Sequence, residues 1–216
     1  MSNTADLIAS LSAEAKSTSK VRAPSYWSIR LLAVLTIYAI GCQLFLGLRA
    51  DLPLQLVRPL FALETLLLTL LLLTSAIAAT LAMYPDVYQR PGFLKLPYIV
   101  FALLAMLMCF QLWMPIDSRM VIPDGPDVHT IECALCIASA ALIPSALMFV
   151  LLRKGASIRQ LQAGSFAVLT ATAIGCLTLR LSEENDSIMH LLQWHYLPTL
   201  LFAALGALAG KWLLKW

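Results

Sequence analysis

Charge is what this sequence has least of. Asp, Glu, Lys and Arg make up 12% of its 216 residues, against about 25% in a soluble globular chain. Hydrophobic residues make up 60%, and mean hydropathy is +0.82. Such a chain cannot cover a buried core with a water-facing surface, and the expectation is an all-α polytopic membrane protein. Other absences narrow the function. The sequence has no glycine-rich nucleotide loop, no H-E-x-x-H pair and no nucleophile–base pair at a recognisable spacing, and it implies no cofactor. Its five cysteines all lie in or beside apolar stretches, which is not a disulfide scaffold. The net charge of +3 comes from basic residues in short loops, where they set topology and give no reason to expect direct nucleic-acid binding. No removable signal peptide is expected, because about 26 mostly polar residues precede the first apolar run.

What the chain does have is apolar runs of membrane length. The most informative is the fourth, where about 20 uncharged residues separate Glu132 from Arg153. At about 1.5 Å per residue that length crosses a hydrocarbon core of about 30 Å. Glu132, Cys133 and Cys136 stand at one end of it, Arg153 and Lys154 at the other. The predicted organisation is a tail over residues 1–26, then a domain over 27–216 with spans at about 27–48, 60–83, 96–114, 131–152, 160–181 and 191–214. Of the 15 Lys and Arg, eleven fall on the side of the tail and four (Arg49, Arg58, Arg119 and Arg180) on the other. Positive residues stay inside, so both termini are expected in the cytoplasm, across a bacterial inner membrane.

The tail carries one amphipathic island. Asn3 or Thr4 can cap it, Asp6 sits in its first turn, and Leu7, Ile8 and Leu11 share a helical face. It is too short to be stable alone, so it reads either as a disordered tail or as a segment that folds onto a partner. Within the spans, Gly206 and Gly210 form a small-xxx-small pattern, and Gly164, Ala167, Ala171 and Gly175 line one face of span five. They predict close helix packing inside the bundle, or a homodimer through Gly206 and Gly210. Pro144 and Pro198 are expected to kink spans four and six. Glu64 is the one acidic residue well inside a span and requires a partner or a task. Cys133 and Cys136 have the C-x-x-C spacing, with His129 one turn earlier and His190 and His195 opening span six on the same side. Thiolate and imidazole suit a soft metal or a redox site. The alternative is that these cysteines pack as small apolar residues, as Cys42, Cys109 and Cys176 are expected to do.

The order of features in the C-terminal half resembles a known family. Cys133 and Ile137, Pro144, LLRKGA, QAG, an alanine- and glycine-rich span, an acidic loop, HLLQWHYLP, GALAG and KWLLKW follow one another. DLIASLSAEA before a basic stretch fits the opening. The set is similar to the NrsF-type anti-sigma factors, negative regulators of the extracytoplasmic-function sigma factor called sigma-F. The resemblance implies a six-span inner-membrane protein that holds a cytoplasmic sigma factor inactive and releases it on envelope, metal or oxidant stress. Leu7, Ile8 and Leu11, with Lys16, Lys20 and Arg22, are then the expected sigma contacts, and Cys133, Cys136, His129 and His190 the expected sensing groups. The resemblance also implies a second outward cysteine near residues 181–183, where this chain reads Leu-Ser-Glu; Cys136 or Cys176 is left as a substitute. A second hypothesis is a membrane thiol oxidoreductase that passes electrons from the outer cysteines to a quinone. Against it, the other three cysteines are scattered over three spans.

Overall fold

Proline marks where three of the long helices begin. Pro24, Pro59 and Pro91 open the 23-residue helices α2 (Pro24–Leu46), α4 (Pro59–Leu81) and α5 (Pro91–Trp113). In the first helical turn the missing N–H has no intrahelical partner to lose, and the fixed φ already suits a helix. The computed structural model describes residues 3–14, 22–89, 91–114 and 130–215. Lys16, Lys20 and His129 lie outside them. The remaining elements are α1 (Thr4–Glu14), α3 (Leu52–Leu56), a 3-10 turn at Pro85–Gln89, α6 (Thr130–Leu152), α7 (Gln160–Ser182), α8 (Ile188–His190), a π-helical segment at Leu191–Tyr196 and α9 (Leu197–Leu213). The last three run on as one apolar rod, Ile188–Leu213. The fold is all-α, with no strand among the described residues. Among the described residues, six helices are long and apolar enough to cross a membrane. The largest shift from expectation is at α5, which starts at Pro91 instead of residue 96. Hydropathy marks the apolar stretch, while the helix runs back past Lys95 to its proline.

Helix α7 is the centre of the bundle. Of its apolar window 78% is buried, against 11% for α2, and it packs on α9, α4, α6 and α2. Its composition explains this. In lipid there is no hydrophobic drive between helices, so small residues that admit close backbones decide which faces meet. A Cβ added at Gly206 would lie 2.7 Å from the carbonyl oxygen of Gly164 and 2.5 Å from Cγ2 of Val168. One added at Gly175 would meet the backbone of Ile137 on α6 at 3.1 Å. The face of Gly206 and Gly210 that sequence reasoning offered to a homodimer is therefore buried against α7 of the same chain. Thr170 donates to its own helix at Phe166 and also reaches Ser75 Oγ on α4, 3.0 Å away. Large apolar side chains such as Leu44, Phe45, Leu142 and Leu205 remain exposed on the outside, as a lipid-facing surface requires.

The long helices alternate in direction and give the bundle two different ends. At the end that bears the tail, the Ala156 amide donates to the carbonyl of Met83 at 2.7 Å, and Gln160 Nε2 donates to the carbonyl of Leu214 at 2.8 Å. At the opposite end the Arg49 amide donates to the carbonyl of Leu181 at 3.0 Å. Ser182 Oγ donates to the carbonyl of Gly47 and accepts from Gln43 Nε2. Gly47 stands at φ 83°, a conformation that favours glycine. Two arginines counted as loop markers turn out to be interior groups: Arg180 lies within α7, and both it and Arg49 are buried.

Candidate functional site

The tail helix α1 is capped as its sequence suggests. The Asn3 carbonyl accepts from the Asp6 amide at 2.9 Å and its Oδ1 from the Ala5 amide at 3.5 Å, while Asp6 complements the helix dipole. Leu7, Ile8 and Leu11 are each more than half exposed, and no residue of α1 is buried. Arg22 is committed at the bundle: its guanidinium stacks 4.4 Å from the ring centre of Tyr26, and its carbonyl accepts from the Tyr84 hydroxyl.

At the opposite end a buried polar network ties the first loop to α4, α7 and the π segment. Glu64 on α4 pairs through Oε1 with Arg180 Nε at 3.1 Å and accepts from the Tyr196 hydroxyl. Arg180 extends the chain to Asp186, which pairs with Arg49 Nη1 at 3.0 Å and accepts from Gln55 at 3.1 Å. Phe61 lies under both guanidiniums, its ring centre 4.6 Å from that of Arg180 and 5.5 Å from that of Arg49. Bonds from Arg49 and then Gln55 hold the Asp51 carboxyl at about 2. This network answers the need of Glu64 for a partner, and Arg180 supplies the charge.

Beside the network sits a four-residue cluster. Glu183 caps the end of α7, and its carboxylate oxygens each lie 3.6 Å from Cys133 Sγ on α6. His190 Nε2 approaches one of those oxygens at 3.1 Å and His195 Nε2 the other at 3.2 Å. One donor atom from each of the four residues falls within 4.8 Å of all the others. Cys133, His190 and His195 are buried, and Glu183 is about four-fifths covered, its side chain 19% exposed. Burial alone would raise the Glu183 carboxyl, but the imidazoles of His190 and His195 outweigh it and hold it at about 2. Neither Nε2 makes an aligned hydrogen bond, although both face the carboxylate.

The π segment is what brings the two histidines together. In an α-helix, residues five apart point about 140° away from each other. A π-turn closes between residues i and i+5, so His190 and His195 come to one side, ring centres 5.4 Å apart. Pro198 follows three residues later. It has no N–H to return to the carbonyl of Trp194, and its ring crowds that carbonyl, which a widened turn relieves. The proline expected to kink the span thus arranges a site.

Of the expected sensing residues, the structure unites Cys133 and His190. Cys136 is half-buried and is not one of the four. Cys176 is fully buried in α7, with its Sγ 3.1 Å from Thr199 Oγ1. Glu183 was not expected in this role; it falls where the resemblance calls for a second cysteine, and nothing in its local sequence advertises a ligand. A family model, NrsF, described as negative regulator of sigma F, matches residues 11–216. No curated protein and no solved structure matches the chain. The match starts inside α1 and takes in all six long helices, the buried network and the four-residue cluster. On that extent, the chain belongs to the NrsF family of negative regulators of sigma F.

Proposed function

We propose that this protein is a membrane-bound anti-sigma factor: it sequesters a cytoplasmic extracytoplasmic-function sigma factor at the bacterial inner membrane through its tail and releases it on an envelope signal. The family supports the regulatory role and a sigma partner. The observation that carries the tail as the contact is the exposed apolar face of Leu7, Ile8 and Leu11 on α1, which leaves a short amphipathic helix without a covering surface among the described residues. An isolated helix of this length is marginal in water, so its stripe is suited to a groove on a partner. Lys16 and Lys20 would add charge complementarity to an acidic surface, while Arg22, stacked on Tyr26, stays with the bundle. Binding by the tail competes with the sigma surface needed for polymerase. A signal at the opposite end of the bundle needs to change tail affinity by only about 1.4 kcal/mol for a tenfold release.

Co-purification of the cognate sigma factor tests this. Leu7→Asp with Leu11→Asp, or deletion of residues 5–15, is expected to abolish capture while the six-span bundle still inserts and purifies as a folded helical protein. Unchanged capture by a folded variant moves the interface to the loops at the same end, such as that around Arg153 and Lys154.

A further inference from the structure

We propose that Cys133, Glu183, His190 and His195 form a binding site for one divalent cation of the zinc class. The geometry gathers one donor atom from each of the four residues within 4.8 Å of all the others. Bonds of about 2.0–2.3 Å in a tetrahedron place donor atoms about 3.3–3.6 Å apart. His190 Nε2 lies 3.1 Å from one Glu183 oxygen and His195 Nε2 3.2 Å from the other, Cys133 Sγ is 3.6 Å from either oxygen, and every other pair of donors falls within the same 4.8 Å. Both imidazole nitrogens are buried and lie within 3.2 Å of the Glu183 carboxylate without an aligned hydrogen bond to it. A hydrogen-bonded His–Glu–His arrangement would align N–H groups on the carboxylate, whereas ligands need only aim their lone pairs inward.

Charge argues the same way. Neutral imidazoles with a thiolate and a carboxylate carry two negative charges, which a divalent ion cancels. The neutral complex suits a position at the edge of the hydrocarbon. Binding displaces the Cys133 proton to solvent, and sulfur–metal and nitrogen–metal bonds form with no change of oxidation state. One sulfur, two imidazoles and one carboxylate favour zinc or cobalt over magnesium or calcium, which prefer all-oxygen shells. The ion would fasten the start of α6, the end of α7 and the α8–π junction to one another, at the end of the bundle opposite the tail.

The test uses the full-length chain without a histidine tag, purified in detergent and stripped with chelator, and titrated with Co(II) and then Zn(II). The expected result is one Co(II) per chain, with visible bands of four-coordinate intensity and a thiolate-to-cobalt charge-transfer band, all displaced by one equivalent of Zn(II). Cys133→Ser removes the charge-transfer band, His190→Gln and His195→Gln each weaken affinity tenfold or more, and Cys136→Ser changes neither. Wild-type protein without the charge-transfer band overturns the proposal, as does a band that survives Cys133→Ser or is lost in Cys136→Ser. The contrast between these two cysteine variants decides the matter even where a histidine variant fails to fold. No sigma factor enters the measurement, so its failure is distinct from failure of the regulatory reading.

Discussion

Arg180 shows how a single residue can be misread from sequence and why. It stands two residues before Ser182 and the acidic run Glu183, Glu184, so charge counting assigns it to a loop. The structure keeps it helical and buries it, with Glu64 and Asp186 as counter-charges and Phe61 beneath its guanidinium. Glu64 was legible, because a carboxylate in an apolar run demands a partner, but the partner is 116 residues away by numbering, 64 to 180, and no local pattern points to it. Removing one side of a buried pair leaves the other uncompensated, which costs about 3–5 kcal/mol, while removing both sides is far milder. Arg180→Met is therefore expected to destabilise the bundle by about that amount, and Glu64→Gln added to it to recover part of the loss. Reversible unfolding in mixed detergent micelles measures both. A cost below about 1 kcal/mol for Arg180→Met would show that the pair is solvated and that the network does not hold this end together.

Among the elements, α7 and the π segment illustrate what periodicity does and does not reveal. The small residues of α7 at Gly164, Ala167, Ala171 and Gly175 repeat at helical spacing, so close packing along this face was readable, though not the central place of the helix in the bundle. Which helix it meets was left between partners inside and outside the chain, because the pattern is the same in both. The answer lies in the reciprocal close approach of Gly164 to Gly206 and Gly210. The π segment was not readable at all: α-helical spacing puts His190 and His195 on different sides, and only the widened turn ahead of Pro198 unites them. The contact at α7 makes a graded prediction. Gly206→Ala adds a methyl within 3 Å of Val168 and of the Gly164 carbonyl oxygen, which is backbone and cannot swing aside. It should cost about 1–3 kcal/mol through overpacking. Gly41→Ala on α2 meets nothing within 4 Å and should be neutral or stabilising by up to about 1 kcal/mol. Equal effects at the two sites, read from thermal melts in one detergent, would refute close packing of α7 on α9.

On the scale of the whole molecule, the six spans and the two unlike ends follow from composition and from where proline and charge sit. The distribution of Lys and Arg holds as a topology argument even after Arg49 and Arg180 are withdrawn as buried groups. Arg22, Arg30, Lys95, Arg153, Lys154, Arg159, Lys211 and Lys215 remain at the tail end among the described residues. At the other end the exposed charges among the described residues are Glu132, Glu184 and Arg58, two acidic and one basic. Withdrawal strengthens the asymmetry, because arginines paired inside the protein exert no pull toward the cytoplasm, and the rule is one of exposed positive charge near span ends. The arrangement also separates the molecule's two candidate activities by a full membrane thickness, about 30 Å: the α1 stripe at one face, the cysteine–histidine cluster at the other. The regulatory proposal depends on which face is which. Reporter fusions after Ala23, after Gly155 and after Lys215 are expected to report cytoplasm, and fusions at Asp51 and after Asn185 the outer side. Labelling with a membrane-impermeant thiol reagent supplies the independent check. In intact cells a cysteine placed at Glu184 should react, and one placed at Lys154 should react only after the membrane is opened. The reverse pattern in both assays would put the tail outside, and with it would go any contact between α1 and a cytoplasmic sigma factor.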